Sequence, residues 1–114
     1  MSRRTNPRLK QRREFLNVAA RGRKVASKSV VLQWLDRDDQ EPARFGFTTT
    51  KKIGNAVVRN RARRRLREAV RLIDRETPLN GADLVLIGRA DTATREFTAL
   101  LADLRYAIRK IGQP

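Results

Sequence analysis

Apolar residues return along this chain in two rhythms. Between residues 56 and 76 they recur every three or four positions, so that Val58, Ala62, Leu66, Ala69, Val70 and Ile73 share one side of a helical wheel. Asn55, just after Gly54, is placed to cap that helix by accepting a backbone N–H. The same rhythm predicts a helix from about Thr94 to Ile111, with Phe97, Leu100, Leu101, Leu104, Ile108 and Ile111 inward and Gly112 and Pro114 closing it. A shorter helix is predicted near Arg12–Ala20. Phe15, Val18 and Ala19 form its apolar side, and Gly22 can stop it in a left-handed conformation.

The other rhythm is that of strands. Ser29-Val-Val-Leu-Gln-Trp-Leu35 and Ala43-Arg-Phe-Gly-Phe-Thr-Thr-Thr50 are rich in β-formers, and the acidic stretch Asp36–Pro42 lies between them. Together they read as an antiparallel hairpin. Pro78–Gly81 breaks the chain, and Leu84-Val-Leu-Ile87 follows, apolar on both faces and so expected to be a central, buried strand. No internal repeat, low-complexity tract or linker interrupts this order. The pattern is that of one α+β domain over residues 1–114, with residues 1–11 expected to form a flexible basic arm.

Charge changes the picture from fold to function. The chain of 114 residues carries 27 Lys and Arg against 12 Asp and Glu, a formal net charge of +15. Such an excess repels itself unless a polyanion neutralises it, and nucleic acid is the obvious one, since displaced counterions drive its binding. The charge is also uneven. Residues 1–28 hold ten basic groups against Glu14 alone, and residues 51–75 hold ten against Glu68 and Asp74, whereas residues 29–50 are slightly acidic. Two basic blocks flank a nearly neutral scaffold, which a solvated helix face explains poorly.

Absent residue types narrow the chemistry. There is no cysteine and no histidine, so disulfides, thiolate catalysis and the usual neutral-pH base are excluded. The basic start MSRRTNPRLKQRR leads into no apolar signal core, and no segment approaches the roughly 20 apolar residues of a membrane span. A cytoplasmic protein is the simplest reading, with an organellar transit peptide as the rival. A self-sufficient metal nuclease needs clustered carboxylates, and the one cluster, Asp36, Asp38, Asp39 and Glu41, sits in an expected loop without a rigid surround.

The informative segment is Thr50-Lys-Lys-Ile-Gly-Asn-Ala-Val-Val-Arg-Asn-Arg-Ala-Arg-Arg-Arg-Leu-Arg-Glu68. Lys51 and Lys52 close a strand, Gly54 turns the chain, and a helix opens on Arg59, Asn60 and Arg61. Asn60, Arg61, Arg64, Arg67, Arg71 and Arg75 then fall together opposite the apolar face. Steps of three or four keep the guanidinium groups in a row that can track a phosphate backbone, each fork bidentate. A major-groove DNA reader would mix Asn, Gln and Ser with Arg at the helix tip; a near-solid Arg row suits phosphates. A ribosomal protein or general RNA chaperone shares the size, the charge and the missing residue types.

The run KKIGNAVVRNR separates those readings, because it closely resembles the arginine-rich segment of the bacterial ribonuclease P protein component. The resemblance extends from Leu9 through the last helix. It implies an α-β-β-β-α-β-α sandwich on a mixed four-stranded sheet, with a left-handed β-α-β crossover against the usual right-handed rule. It implies binding to a large catalytic RNA, which itself removes the 5′ leader of precursor tRNA, through Arg59, Asn60, Arg61, Arg64 and Arg67, with Lys51 and Lys52 at the strand end. A cleft between the first helix and the sheet would hold the single-stranded leader at Phe15, Ala19, Val31, Gln33 and Thr48. Mg²⁺ would be held mainly by the RNA, none by the protein, and no protein partner would be required. Two positions depart from the family, which often has aromatics where this chain has Ala19 and Gln33. Base stacking on an aromatic is worth roughly 1–3 kcal/mol, so how much stacking contributes to leader binding is an open question for this chain. Trp34 does not replace it, since alternation turns it to the other face.

Overall fold

The computed structural model describes residues 6–112, so the first five residues of the expected arm lie outside the described residues. The elements are α1 (Arg12–Arg21), β1 (Arg23–Ala26), β2 (Val30–Asp36), β3 (Arg44–Thr48), α2 (Ala56–Glu76), β4 (Ala82–Gly88) and α3 (Phe97–Gly112), with single 3-10 turns at Lys51–Ile53 and Ala90–Ala93. The order α-β-β-β-α-β-α is the expected one. One mixed sheet runs β1-β2-β4-β3, in which β4 pairs antiparallel with β2 and parallel with β3.

That order corrects the expected hairpin. β2 and β3 do not pair, because β4 lies between them. Ala82, Asp83, Leu84, Val85, Leu86 and Gly88 of β4 are all buried, and a strand apolar on both faces cannot lie at an edge. The β2–β3 connection instead wraps the start of β4, with Arg37 N donating to Gly81 O and Gly81 N to Glu41 O at 2.7 Å each. The hairpin that does form joins β1 to β2, from Arg23 opposite Trp34 to Ala26 opposite Val31. The polar strand Arg-Lys-Val-Ala shows one apolar side chain, Val25, packed against the core.

Two cores sandwich the sheet. On one face Val30, Leu32, Phe45, Leu84 and Leu86 pack against Leu66, Ala69, Val70 and Ile73 of α2 and against Leu100 and Leu104 of α3. On the other face Val85 meets Val18 of α1 and Leu9, with Phe15, Leu35 and Ile87 packed around them. Trp34 lies on the first face, as strand alternation requires. Gly22 ends α1 in an extended conformation, φ −88° and ψ 177°, not the left-handed one. What demands glycine is space, for a Cβ there would lie 2.6 Å from the carbonyl oxygens of Val18 and Trp34.

Residues 6–9 of the expected arm run against β3. Phe45 N donates to Pro7 O and Leu9 N to Phe45 O, at 3.1 and 3.0 Å, and Asn6 Nδ2 reaches Ala43 O. The chain ahead of α1 therefore lies along β3.

Candidate nucleic-acid interface

The arginine helix begins as its sequence dictates. Gly54 adopts φ +145°, where an L side chain is strained, and Asn55 Oδ1 accepts the N–H of Val58 at 3.0 Å. With the apolar stripe buried, Asn60, Arg61, Arg64, Arg71 and Arg75 are exposed and Arg67 is half-buried. Asn60, Arg63, Arg64 and Arg67 line an open groove of about 430 Å³ beside the exposed Val57. Among the described residues no acid pairs with Arg61, Arg64 or Arg67, while Arg71 is held by Glu68 at 2.6 Å.

The other arginines of the block have different work. Arg63 donates to Thr49 Oγ1 at 3.0 Å and to Asn60 Oδ1, tying α2 to the end of β3 and fixing the Asn60 amide. Arg65 turns the opposite way, donating to Arg95 O and lying 5.8 Å above the Phe97 ring. Burial pushes its guanidinium below the usual value, with the charge of Arg61 adding to the effect. Arg59 is half-buried, and its Nε is buried with no hydrogen-bond partner.

The second surface is the α1 side of the sheet. Strand alternation puts Val31, Gln33 and Leu35 of β2, Val85 and Ile87 of β4, and Gly46 and Thr48 of β3 on that side. One row across the sheet is Lys24, Gln33, Val85 and Gly46, and the next is Ala26, Val31, Ile87 and Thr48. α1 covers the first row. Val18 is buried with Val85, and Phe15 lies so close over Gly46 that a Cβ there would be 2.5 Å from its ring. The next row is left open, with Val31, Ile87 and Thr48 half-buried and Ala26 exposed. The result is a cleft with a helix for a wall and an aliphatic floor. Of the expected cleft residues, Val31 and Thr48 lie in the open floor, Gln33 and Phe15 stand at the covered row, and Ala19 is exposed on α1.

Beyond the open row the strands end in cations. Lys28 lies in the β1–β2 turn, Lys51 and Lys52 follow β3, and Arg89 follows β4; all four are exposed, and none pairs with an acid among the described residues. The Arg89 guanidinium donates to Ser27 O at 3.1 Å, which holds it at this end. Sequence reasoning missed Lys28, Ile87 and Arg89, because only the strand register brings them beside Thr48 and Lys51, and missed Arg63, which is placed by its bond to Thr49.

Among the described residues no group of three or more acids could hold a metal ion, and no helix is long and apolar enough to cross a membrane. The acidic loop is engaged internally, Asp39 with Arg37 at 2.9 Å and Asp36 with Arg23 at 3.2 Å.

Known proteins converge on one family. The family model described as Ribonuclease P matches residues 4–112. The ribonuclease P protein component of Gluconacetobacter diazotrophicus is 69% identical over 105 residues, 92% of this chain and 90% of that one. That of Ruegeria pomeroyi is 51% identical over 109 residues, covering 93% and 86%. The fold matches the Staphylococcus aureus RNase P protein at TM-score 0.80, with 22% identity and 95% and 97% of the two chains covered. The Thermotoga maritima RNase P protein superposes at TM-score 0.72, with 23% identity and 95% and 100% covered. The chain belongs to the ribonuclease P protein family, the protein component of a ribonucleoprotein endoribonuclease of tRNA processing.

Proposed function

We propose that α2 docks this protein on the catalytic RNA while the α1–sheet cleft holds the single-stranded 5′ leader of precursor tRNA. The observation that carries this reading is the coexistence of two unlike surfaces on opposite faces of one sheet. One is a row of unpaired guanidinium groups suited to phosphates. The other is an aliphatic floor beside α1 whose end is ringed by Lys28, Lys51, Lys52 and Arg89. A single strand can lay sugars and bases along such a floor and its phosphates on the cations.

The chemistry of cleavage is assigned to the RNA. The protein's geometrically placed carboxylates, Glu14, Asp39 and Asp83, are bound by arginines, so Mg²⁺ is placed on RNA phosphates. The protein contributes affinity and register: it neutralises phosphates, releases counterions, and adds contacts that only leader-bearing substrate can make. In this reading it works in the cytoplasm with no further protein.

The test is a binding series with the assembled complex. Affinity of the protein for its RNA should fall with salt by several log units per log unit, given slopes of roughly −0.7 to −0.9 per neutralised phosphate. Val31→Glu and Thr48→Glu should leave that assembly intact, weaken binding of leader-bearing tRNA and leave leaderless tRNA unaffected. A flat salt plot, or equal loss for both tRNAs, refutes the two-surface arrangement.

A further inference from the structure

The chain has four phenylalanines, and three of them, Phe15, Phe45 and Phe47, line one pocket of about 260 Å³ at the outer edge of β3. Its rim is formed by Arg8, Arg63 and Arg67. Phe45 is buried beneath it, while Phe15 and Phe47 are half-buried and present ring surface. Arg8 and Arg67 have no acid partner among the described residues. This pocket lies around the edge of the sheet from the aliphatic floor of the cleft. It joins the α2 groove, since Arg63 and Arg67 line both.

From this juxtaposition we infer that the pocket takes one unstacked nucleotide of the RNA partner, its base against Phe47 and its phosphates on Arg8 and Arg67. The inference rests on the proposed use of α2 for RNA and adds the chemical form of what is bound. Aromatic floors accept the face of any base, and guanidinium groups both stack on bases and grip phosphates in pairs. A base inside a duplex cannot enter a concave pocket of this kind, whereas one from a bulge or junction can be splayed out. The occupant is assigned to the RNA partner and not to the leader because the α2 row, which tracks that RNA, runs directly into the rim. Stacking in this chain is thereby concentrated at the β3 edge, where the aromatics are, and not over Ala19 and Gln33.

The experiment uses the full chain and its ribonuclease P RNA, with Phe47→Leu and Arg8→Gln compared with the unaltered protein. Phe47→Leu keeps an apolar side chain but removes the ring, and should weaken RNA binding about tenfold. Arg8→Gln should weaken it several-fold. Acylation of RNA 2′-hydroxyls should show one unpaired nucleotide protected by the unaltered protein and exposed again in both variants. The ratio of affinities for leader-bearing and leaderless tRNA should not change. Should Phe47→Leu fail to melt cooperatively, the acylation pattern with Arg8→Gln decides alone. Unchanged affinity and acylation in the variants overturn the inference, as does a loss confined to leader-bearing tRNA. Arg64→Ala, outside this pocket, separates the two levels: if it weakens assembly while the pocket variants do not, the pocket fails and the α2 reading stands.

Discussion

Arg37 and Arg44 at one end of the sheet and Arg61, Arg64 and Arg67 on α2 are the same side chain in opposite service. The first pair grips the buried carboxylate of Asp83, at 2.8 Å from Arg37 and 2.6 Å from Arg44, and Arg44 reaches on to Glu14 at 2.8 Å. Glu14 in turn accepts the N–H groups of Gln11 and Lys10, so the network clamps the start of α1 to β4. Those arginines are neutralised inside the fold; among the described residues no acid pairs with the α2 three. The comparison shows that the net charge of +15 understates how segregated the molecule is. The acids nearest β3 and the start of β4 are held by Arg37 and Arg44, whereas unpaired cations line α2 and the far ends of the strands.

The largest effect that tests this contrast is on stability. Asp83 is 6% exposed at its side chain, and Asp83→Asn removes the carboxylate shared by two arginines that keep Asp39 and Glu14, which should cost about 3 kcal/mol, the low end for a buried pair. Urea unfolding should show that loss, with RNA affinity of the folded protein unchanged. Acid acts on the same groups. Backbone N–H donation from Gln11 and Lys10, helped by Arg44, holds the Glu14 carboxyl below its ordinary value. Burial alone would raise Asp83, but hydrogen bonds and charge from Arg44 and Arg37 outweigh it and hold it low. Folded values below unfolded values of roughly 4 mean that this stability is complete above that pH and is lost as pH falls through the folded values. The urea midpoint should therefore drop on acidification, and more shallowly in Asp83→Asn.

The next effect is on binding. Arg64→Ala and Arg67→Ala should each remove about 1.5–3 kcal/mol of RNA affinity, while calorimetric melting stays close to that of the unaltered protein. A stability loss matching that of Asp83→Asn would erase the distinction between the two arginine sets. The smallest effect belongs to Arg71, which shares the row but is paired with Glu68. An exposed pair of this kind is screened by solvent and salt, and Arg71→Ala should weaken RNA binding less than Arg64→Ala in the same titration. Equal losses would show that pairing within the helix is no guide to use.

The helices and β4 were legible because their signals are local: a period near 3.6 over 21 residues for α2, and a run apolar on both faces for β4. The α2 row was legible for the same reason, since residues three or four apart on a helix must be neighbours. Strand order was not, because nothing near residues 29–50 records that a strand some forty residues later will come between them. β1 came only with the resemblance, because an edge strand with one half-buried side chain has no alternation to read. The hand of the crossover came from the resemblance alone. At the site, Val31 and Thr48 emerged from that resemblance, whereas Ile87 and Arg89 needed the observed register. The pairing of Arg71 with Glu68 was visible in principle as a three-residue step, and the bonds from Arg63 to Thr49 and from Arg44 to Asp83 were not.

The backbone of residues 7–9 lying along Phe45 has a consequence for how the protein keeps company with itself. β3 is the outer strand of the sheet, and an outer strand with free N–H and C=O groups is a template for another chain. Here Pro7 O and Leu9 N occupy both groups of Phe45. The opposite border is β1, only four residues long, with the exposed Lys24 on it, a charge that disfavours an identical border. Both margins are thus blunted against sheet extension, one by the chain's own backbone at Phe45 and one by shortness and charge.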